Sequence, residues 1–513
     1  MKNRNKIREI FITVLLLTIS SADAQNTGTG IITGKVIEAS TKQPVIGANV
    51  IVIGTDQGAA TDAAGNFRIE NVPANEYQVR ASAIGYDSET KADVVVNPTR
   101  PVVLEFELKE KVIELEGVVI ESGYFSKDPA LVNSTKSFSY EEIRRAPGGF
   151  EDVIRALSVL PGVGQAEPGR NDLMVRGGAP SENLYLLDGI EVQNINHFGT
   201  QGATGGPLSY INLDFVKGTT FSTGGFPVLY GDKISSVLSI DLRDGRNDRL
   251  GGKATVSATQ FGLNLEGPLN NSSSFIFSAR RSYLDFIFKA ADFGFVPEYY
   301  DLLTKFNYSI DNNNSLSFLF TGAFDNVRYF NDTEEQRYDN SRVLGSDQTQ
   351  YVTGISYRHL FNNGFFNLSL SRNFVDYDTQ QRDTLLNPLF KNISREQVNS
   401  LRGDAVYKLF RASEINFGAK VEYIKFKADV LIPTFLTSFG DTLPNTEIDN
   451  EDNFYKSSAY LNFNTTFFGR LSANLGVRGD YFNPIEKKFY ISPRFSVSYR
   501  FTDLTSINFS TGI

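Results

Sequence analysis

Residues able to do covalent or metal chemistry are scarce in this chain, which has two histidines and no cysteine in 513 residues. His197, in His197-Phe198-Gly199-Thr200, and His359, in His359-Leu360-Phe361-Asn362, both lack an acidic residue at metal-ligand spacing. A thiol nucleophile, a disulfide and a cysteine-type zinc cluster are excluded. No nucleophile-elbow pattern marks a serine for a distant histidine to activate. The run Gly199 to Gly206, GTQGATGG, suggests a phosphate cradle, yet it lacks the Lys-Ser/Thr pair of a P-loop and no helical pattern opens after it. Asp62 and Asn66 lack the spacing of a calcium loop and read as a solvated turn. The expectation is a protein that is not an enzyme, with no catalytic residue, metal or cofactor. What remains is recognition chemistry, in which strands pair through their backbones and arginines such as Arg176 and Arg243 find acidic partners where the fold shields them from water.

Length and composition bound the elements that must position such groups. A chain this long exceeds one compact core, so several domains are expected. Hydrophobic residues at 41% and charged residues at 21% exclude both a disordered chain and a helical membrane protein, and 41 Phe, 23 Tyr and 43 Gly lean towards β-structure. A formal net charge of -9 argues against nucleic acid as a partner. A basic stretch, an apolar run from Ile10 to Ile19 and Ala22-Asp23-Ala24 read as a cleavable signal peptide over residues 1–24. That run reaches about 15 Å as a helix, half the hydrocarbon core, and no other run approaches the roughly 20 residues of a membrane helix. Any spanning part must then be a β-barrel.

Residues 30–109 read as one all-β sandwich, with strand-like runs at Ile31 to Ile37, Asn49 to Ile53, Phe67 to Ile69, Tyr77 to Ala83, Val94 to Val96 and Val102 to Leu108. Gly34-Lys35-Val36, Pro44-Val45-Ile46-Gly47, Thr61-Asp62 with Gly65-Asn66-Phe67, and Ile84-Gly85-Tyr86 resemble the carboxypeptidase regulatory-like domain, a sandwich without catalytic residues. In the linker, residues 110–124, the short apolar strand Gly117-Val118-Val119-Ile120-Glu121 is either a further strand of the sandwich or a docking peptide for a partner sheet.

Helical periodicity follows. Ser139 and Glu142 fit a capping box, and Phe150, Val153, Ile154, Leu157 and Leu160 recur at helix-face spacing until Pro161-Gly162. Strand-like Leu173 to Arg176, Phe215 to Phe221 and Ser235 to Arg243 make residues 125–246 an α+β unit, with glycine-dependent turns at Gly177-Gly178 and Asp188-Gly189. Leu160-Pro161-Gly162-Val163, Val175-Arg176-Gly177-Gly178, Leu187-Asp188-Gly189-Ile190, Gly224-Gly225-Phe226-Pro227 and Tyr230-Gly231 with Ser235-Ser236-Val237-Leu238 resemble, in order, the plug of TonB-dependent outer-membrane transporters.

Residues 247–513 alternate strictly. Leu471, Ala473, Leu475, Val477 and Tyr481 share one face, and Ser472, Asn474, Arg478 and Asp480 share the other. Ile415, Phe417, Val421 and Tyr423 oppose Asn416, Lys420 and Glu422, while Phe495, Val497, Tyr499 and Phe501 oppose Ser496, Ser498 and Arg500. Arginine facing lipid at mid-membrane costs about 2–4 kcal/mol, so Arg478 and Arg500 identify the inward face. Short connections alternate with long ones, the latter expected at Lys289 to Tyr300, Asn331 to Asp347, Asp378 to Ile393 and Ile432 to Asp452.

The fold expected is mainly β: a sandwich, an α+β plug and an antiparallel transmembrane β-barrel with about thirteen of the twenty-two strands that the resemblance implies. A C-terminally truncated chain is therefore expected. The resemblance further implies an outer-membrane importer driven by TonB and its inner-membrane motor complex, with Gly117 to Glu121 as the TonB box, outer-membrane lipid around the barrel, and a small-molecule or oligomeric nutrient as ligand. A sandwich ahead of the plug resembles the arrangement in Bacteroidota, where a surface lipoprotein is a further partner. Within the plug motif, Arg176 and Arg243 are expected to pair with wall carboxylates. Asp188 is read as a turn former and Gly177, Gly178, Gly189 and Gly231 as structural, with Pro161, Gly162 and Tyr230 as further residues of the plug motif; Gly199 to Gly206 is read as a mobile loop lining the plug. The alternative is a non-transporting surface receptor or adhesin, which would need neither plug nor box.

Overall fold

The computed structural model describes the chain from residue 28 onwards, apart from 112–134, 150–151, 168, 204, 258–259, 284–287, 289–293, 439 and 503–504. The expected signal peptide and the candidate box, Gly117 to Glu121, lie outside the described residues. Among the described residues two compact units form, one of the chain up to Ile37 together with Pro44–Leu108, the other of Glu38–Gln43 together with the described residues beyond Leu108.

The first unit is a sandwich. One sheet runs Asn66–Pro73, Thr29–Glu38, Val102–Leu108, and the other Gly58–Ala60, Asn49–Val52, Glu76–Ser82, Glu89–Val95. Alternation sends Phe67 and Ile69 inward to Ile32, Val50, Val79 and Phe106, while Arg68 and Glu70 stay exposed. Gly58–Ala60 carries no β signal of its own and is a strand because Asn49–Ile51 pairs with it. The Asp62 carboxylate accepts the N–H groups of Ala64 and Asn66 at 2.9 and 2.8 Å, which makes an exposed turn. The Asn66 N–H holds that carboxyl below its ordinary range.

In the second unit the α+β part is built on a five-stranded sheet, in the order Ile190–Val192, Asn183–Leu187, Ser236–Leu242, Val216–Ser222, Thr135–Ser139. Asn183–Leu187 pairs in parallel with Ser236–Leu242 and is buried along its whole length, as a central strand must be. The helical run divides in two. Tyr140–Arg144 is capped by the Ser139/Glu142 box, and Val153–Leu157 by Asp152. Pro147 disfavours helix at the residue before it and Gly148 takes φ +71°, so the chain turns between them; Phe150 is outside the described residues and Leu160 lies beyond the second helix.

Around it stands a thirteen-stranded antiparallel sheet whose strands neighbour each other in sequence order, from Gly251–Val256 to Thr505–Gly512. The phase matches the alternation: Leu475, Val477 and Tyr481 are exposed, whereas Asn474, Arg478, Lys420 and Glu422 are buried inward. Arg500, at a strand end, is exposed and donates to the Gly469 carbonyl at 2.7 Å. The expected long loop from Asp378 to Ile393 is instead mostly strand, since Gly364–Arg382 and Pro388–Phe410 pair up to Arg382↔Pro388. Continuing the ladder satisfies backbone groups even where side chains turn polar, and only 383–387 is left as a turn, tied by Asp383 to the Leu385 and Asn387 N–H groups. The loop 330–344 holds a helix, Glu334–Asn340, capped by Thr333.

Candidate functional site

The polar side chains that the alternation turns inward converge on the α+β unit, and this seam is the candidate site. At its centre His197, on the short strand Asn196–His197, is 1% exposed between two carboxylates of the wall. Its Nδ1 lies 2.6 Å from Asp325 Oδ1 and its Nε2 3.2 Å from Asp301 Oδ2. The Phe198 N–H donates to Asp325 Oδ2 at 2.7 Å, and Arg280 Nε to Asp301 Oδ1 at 2.7 Å. Two acceptors on two ring nitrogens require both to carry protons. Burial alone would lower the pKa of His197, but the charge of Asp325 and the hydrogen bonds to both carboxylates raise it from 6.5 to about 9. The Tyr299 ring covers the imidazole at 4.2 Å between centroids.

Further ion pairs cross the seam. Arg243 grips Glu266 at 2.5 and 3.1 Å, donates to the Asp214 carbonyl and lies over Phe215. Asp188 pairs with Lys305 at 2.9 Å while its other oxygen accepts the Leu242 N–H at 2.7 Å. Glu191 meets Lys420 at 2.8 Å and Asp232 meets Lys456. Burial pushes both of these carboxyls up, and Lys420 and Lys456 respectively more than reverse it, so each sits below its ordinary value. Beyond them two guanidinium groups hold backbone carbonyls: Arg478 those of Val228 and Leu229, and Arg494 those of Phe226, Pro227 and Tyr230.

Each residue singled out from the sequence has a definite place. Pro161 and Gly162 turn the chain so that the Gly162 carbonyl accepts the Arg176 N–H at 2.8 Å. Arg176 is exposed, with its guanidinium beside Gly224 of the same domain. Positive φ falls on Arg176 (53°) and Gly177 (83°), not on Gly178. Gly178 is small for another reason, because a Cβ there would meet the Ser235 hydroxyl at 1.8 Å. Asp188 and Gly189 take φ 48° and 78°, the pair of left-handed residues that a two-residue hairpin needs, and Asp188 is an ion-pair partner as well as a turn former. A Cβ on Gly231 would lie 2.6 Å from Arg478 Nε. Tyr230 packs against Leu184, Leu186 and Val237. The loop read as mobile is tied to the wall, since Gln201 donates to Glu396 at 2.7 Å and accepts from Asn392 at 2.8 Å.

The histidine clamp escaped sequence reasoning because its carboxylates are 104 and 128 residues away. The available signal was phase: Asp301 and Asp325 occupy inward positions on strands otherwise rich in aromatic residues. Among the described residues no group of three or more His, Asp or Glu is placed to hold a metal. A shielded seam of paired charges can hold one body inside another and release it by exchanging partners for water.

Comparison with known proteins agrees with this geometry. Residues 130–237 match the family model of the TonB-dependent Receptor Plug Domain, and residues 32–120 that of the CarboxypepD_reg-like domain. The TonB-dependent transporter Oar of Myxococcus xanthus is 28% identical over 249 residues, which is 45% of this chain and 22% of that protein. The TonB-dependent receptor SusC of Bacteroides thetaiotaomicron is 28% identical over 271 residues, 50% of this chain and 25% of that protein. The match thus spans about a quarter of the length of these curated relatives. Among solved structures, the siderophore receptor PirA from Acinetobacter baumannii shares the fold with a TM-score of 0.57 at 15% identity, over 73% of this chain and 60% of that one.

Proposed function

We propose that this chain, which carries the plug of a TonB-dependent receptor behind a carboxypeptidase regulatory-like domain, acts in an outer-membrane importer that takes an extracellular nutrient into the periplasm with energy transduced by TonB. The observation that carries the reading is the plug seated within its wall by charges that mere packing would not require. Buried ion pairs add little net stability compared with apolar packing, so their use at this seam favours a contact made to be released. The ligand, a small molecule or an oligomer, binds at the outer loops and the plug apices. TonB adds a strand to Gly117-Val118-Val119-Ile120-Glu121 and pulls.

Two experiments test this in full-length receptor, with uptake of ferric siderophores, cobalamin and oligosaccharides as the screen. Val119→Pro removes a backbone donor and is expected to abolish uptake of the transported compound while leaving its surface binding intact; normal uptake would overturn the box. This chain has no cysteine, so a reducible bis-maleimide can join Gln201→Cys on the plug to Glu396→Cys on the wall, whose side chains meet at 2.7 Å. The cross-linked variant should bind but not import, and a reductant should restore import.

A further inference from the structure

Above the plug the inward face of the wall changes character. Gln201 identifies that face on the strand Pro388–Phe410, because it donates to Glu396 at 2.7 Å and accepts from Asn392 at 2.8 Å. Pairing with Ser413–Ile432 and Thr446–Phe467 then sets Glu396, Phe426 and Asp452 side by side. Two rows further out, about 14 Å along the strands, stand Asn392, Val430 and Ile448, with Phe390 and Ile432 beyond them. Lower on these strands the apolar side chains point outward; here the phase is reversed, and the outward positions hold Lys391, Asp429, Glu447 and Asp449. Ile448 is 43% exposed on the inward side. An apolar row facing water costs free energy in proportion to its area, so it marks a surface that something covers.

Charge at the outer ends of these three strands is sorted. Lys391, Arg395, Lys425 and Lys427 all alternate to the outward side, whereas Glu396 and Asp452 face inward. Among the described residues neither of these carboxylates is in an ion pair: Glu396 takes the Gln201 amide, and Asp452 the Asn450 amide at 2.6 Å. Phe426 sits on the strand between them, about 5 Å from each neighbour. A ring face attracts a cation within about 6 Å, and carboxylates on either side strengthen the pull. In the row next outward, through Tyr377 and Ser394, Gln348 is 2% exposed and neither atom of its amide is hydrogen-bonded, which leaves a donor and an acceptor for a peptide group.

We infer that the ligand of this face is a peptide carrying positive charge beside apolar side chains, with its ammonium or guanidinium over Phe426 between Glu396 and Asp452 and its apolar side chains outward along Val430, Ile448, Phe390 and Ile432. The two rows between cation and apolar contacts match about four residues of extended peptide. A polyanionic iron chelate would meet two carboxylates and no cation on this face, and a glycan would leave the aliphatic row uncovered.

The inference rests on the importer reading, and one screen separates the two. Cells producing the full-length receptor, with TonB and without it, are offered N-acetylated, C-terminally amidated hexapeptides that combine lysine or glutamate with leucine or serine, alongside a ferric tris-catecholate and maltoheptaose. Bound and imported compounds are measured by mass spectrometry. Lysine–leucine peptides should be bound about ten-fold over glutamate–leucine and lysine–serine ones, the scale of one cation–π contact with a partly shielded ion pair. Glu396→Gln, which keeps an acceptor for Gln201, combined with Asp452→Asn should abolish the preference for lysine, and Ile432→Ser with Ile448→Ser the preference for leucine. Lys427→Gln, on the outward side, should change neither. Heat-modified gel mobility checks that each variant is folded. Import of the catecholate or maltoheptaose in place of peptide, or preferences that survive in the variants, overturns the peptide site alone. Selective binding of lysine–leucine peptide with no TonB-dependent import upholds the site and overturns the importer reading, and binding of no probe overturns both.

Discussion

Where the plug meets the earlier strands of the wall, apolar packing runs through the contact beside the ion pairs of His197, Arg243 and Asp188. Ile276, Leu303, Leu319, Ala323 and Val352 of the wall belong to the same cluster as Tyr185, Leu187, Ile190, Phe221 and Ile240 of the plug. Where it meets the later strands, the contact rests on Lys420 with Glu191, Lys456 with Asp232, and Arg478 and Arg494 on backbone carbonyls. Burying apolar area gains roughly 25 cal/mol per Å², and separation forfeits all of it, whereas a polar contact can be traded for water at small net cost. The difference teaches that the two sides of the seam are unequally releasable. Under tension the plug should leave the later strands first and pivot on the earlier ones.

That asymmetry can be broken at graded cost. His197→Leu leaves Asp325 buried without its cation, while Asp301 keeps Arg280, and should destabilise the docked plug by about 3–5 kcal/mol, read as a lower denaturant midpoint for plug protease resistance. Adding Asp325→Asn should recover part of the loss. Leu303→Ala, on the apolar side, should cost about 2–5 kcal/mol in the same assay. Lys456→Gln, on the polar side, should cost about 1 kcal/mol or less, and a cost equal to that of Leu303→Ala would refute the asymmetry.

Acidity sharpens the comparison. The folded value of His197, about 9, lies above its ordinary value of 6.5. Its contribution is therefore fully present below about pH 6.5 and is lost as pH rises through about 9. Protease resistance of the plug should fall across that window in the wild type, and His197→Gln should flatten the dependence. The smallest effect is expected at Arg144, exposed and paired with Glu141 on one helix turn, where Arg144→Ala should shift stability by about 0.5 kcal/mol or less.

Much of the architecture could be read from local pattern. Two-residue alternation placed Arg478, Lys420 and Glu422 inward and Phe417 and Leu475 outward, because a strand's side-chain period is the same wherever the strand lies. The Asp188-Gly189 hairpin was equally legible, since its left-handed φ values follow from residue type. Strand ends were less so: the ladder from Asp378 to Ile393 is held by pairing between strands, which the polar composition of the segment does not reveal.

Chemistry at the seam depended on distance along the chain. From its neighbours His197 had no partner, and Arg176 and Arg243 looked alike; the fold clamped His197 between Asp301 and Asp325, gave Arg243 to Glu266, and left Arg176 exposed beside Gly224. Residue order and type thus set which faces are polar, which turns can close, and that no cysteine chemistry exists, because these follow from interactions within a few residues. Which inward charge meets which plug residue was settled by the stagger of thirteen strands around the plug, since an ion pair is made by proximity in space and a one-residue slip of register would exchange every partner.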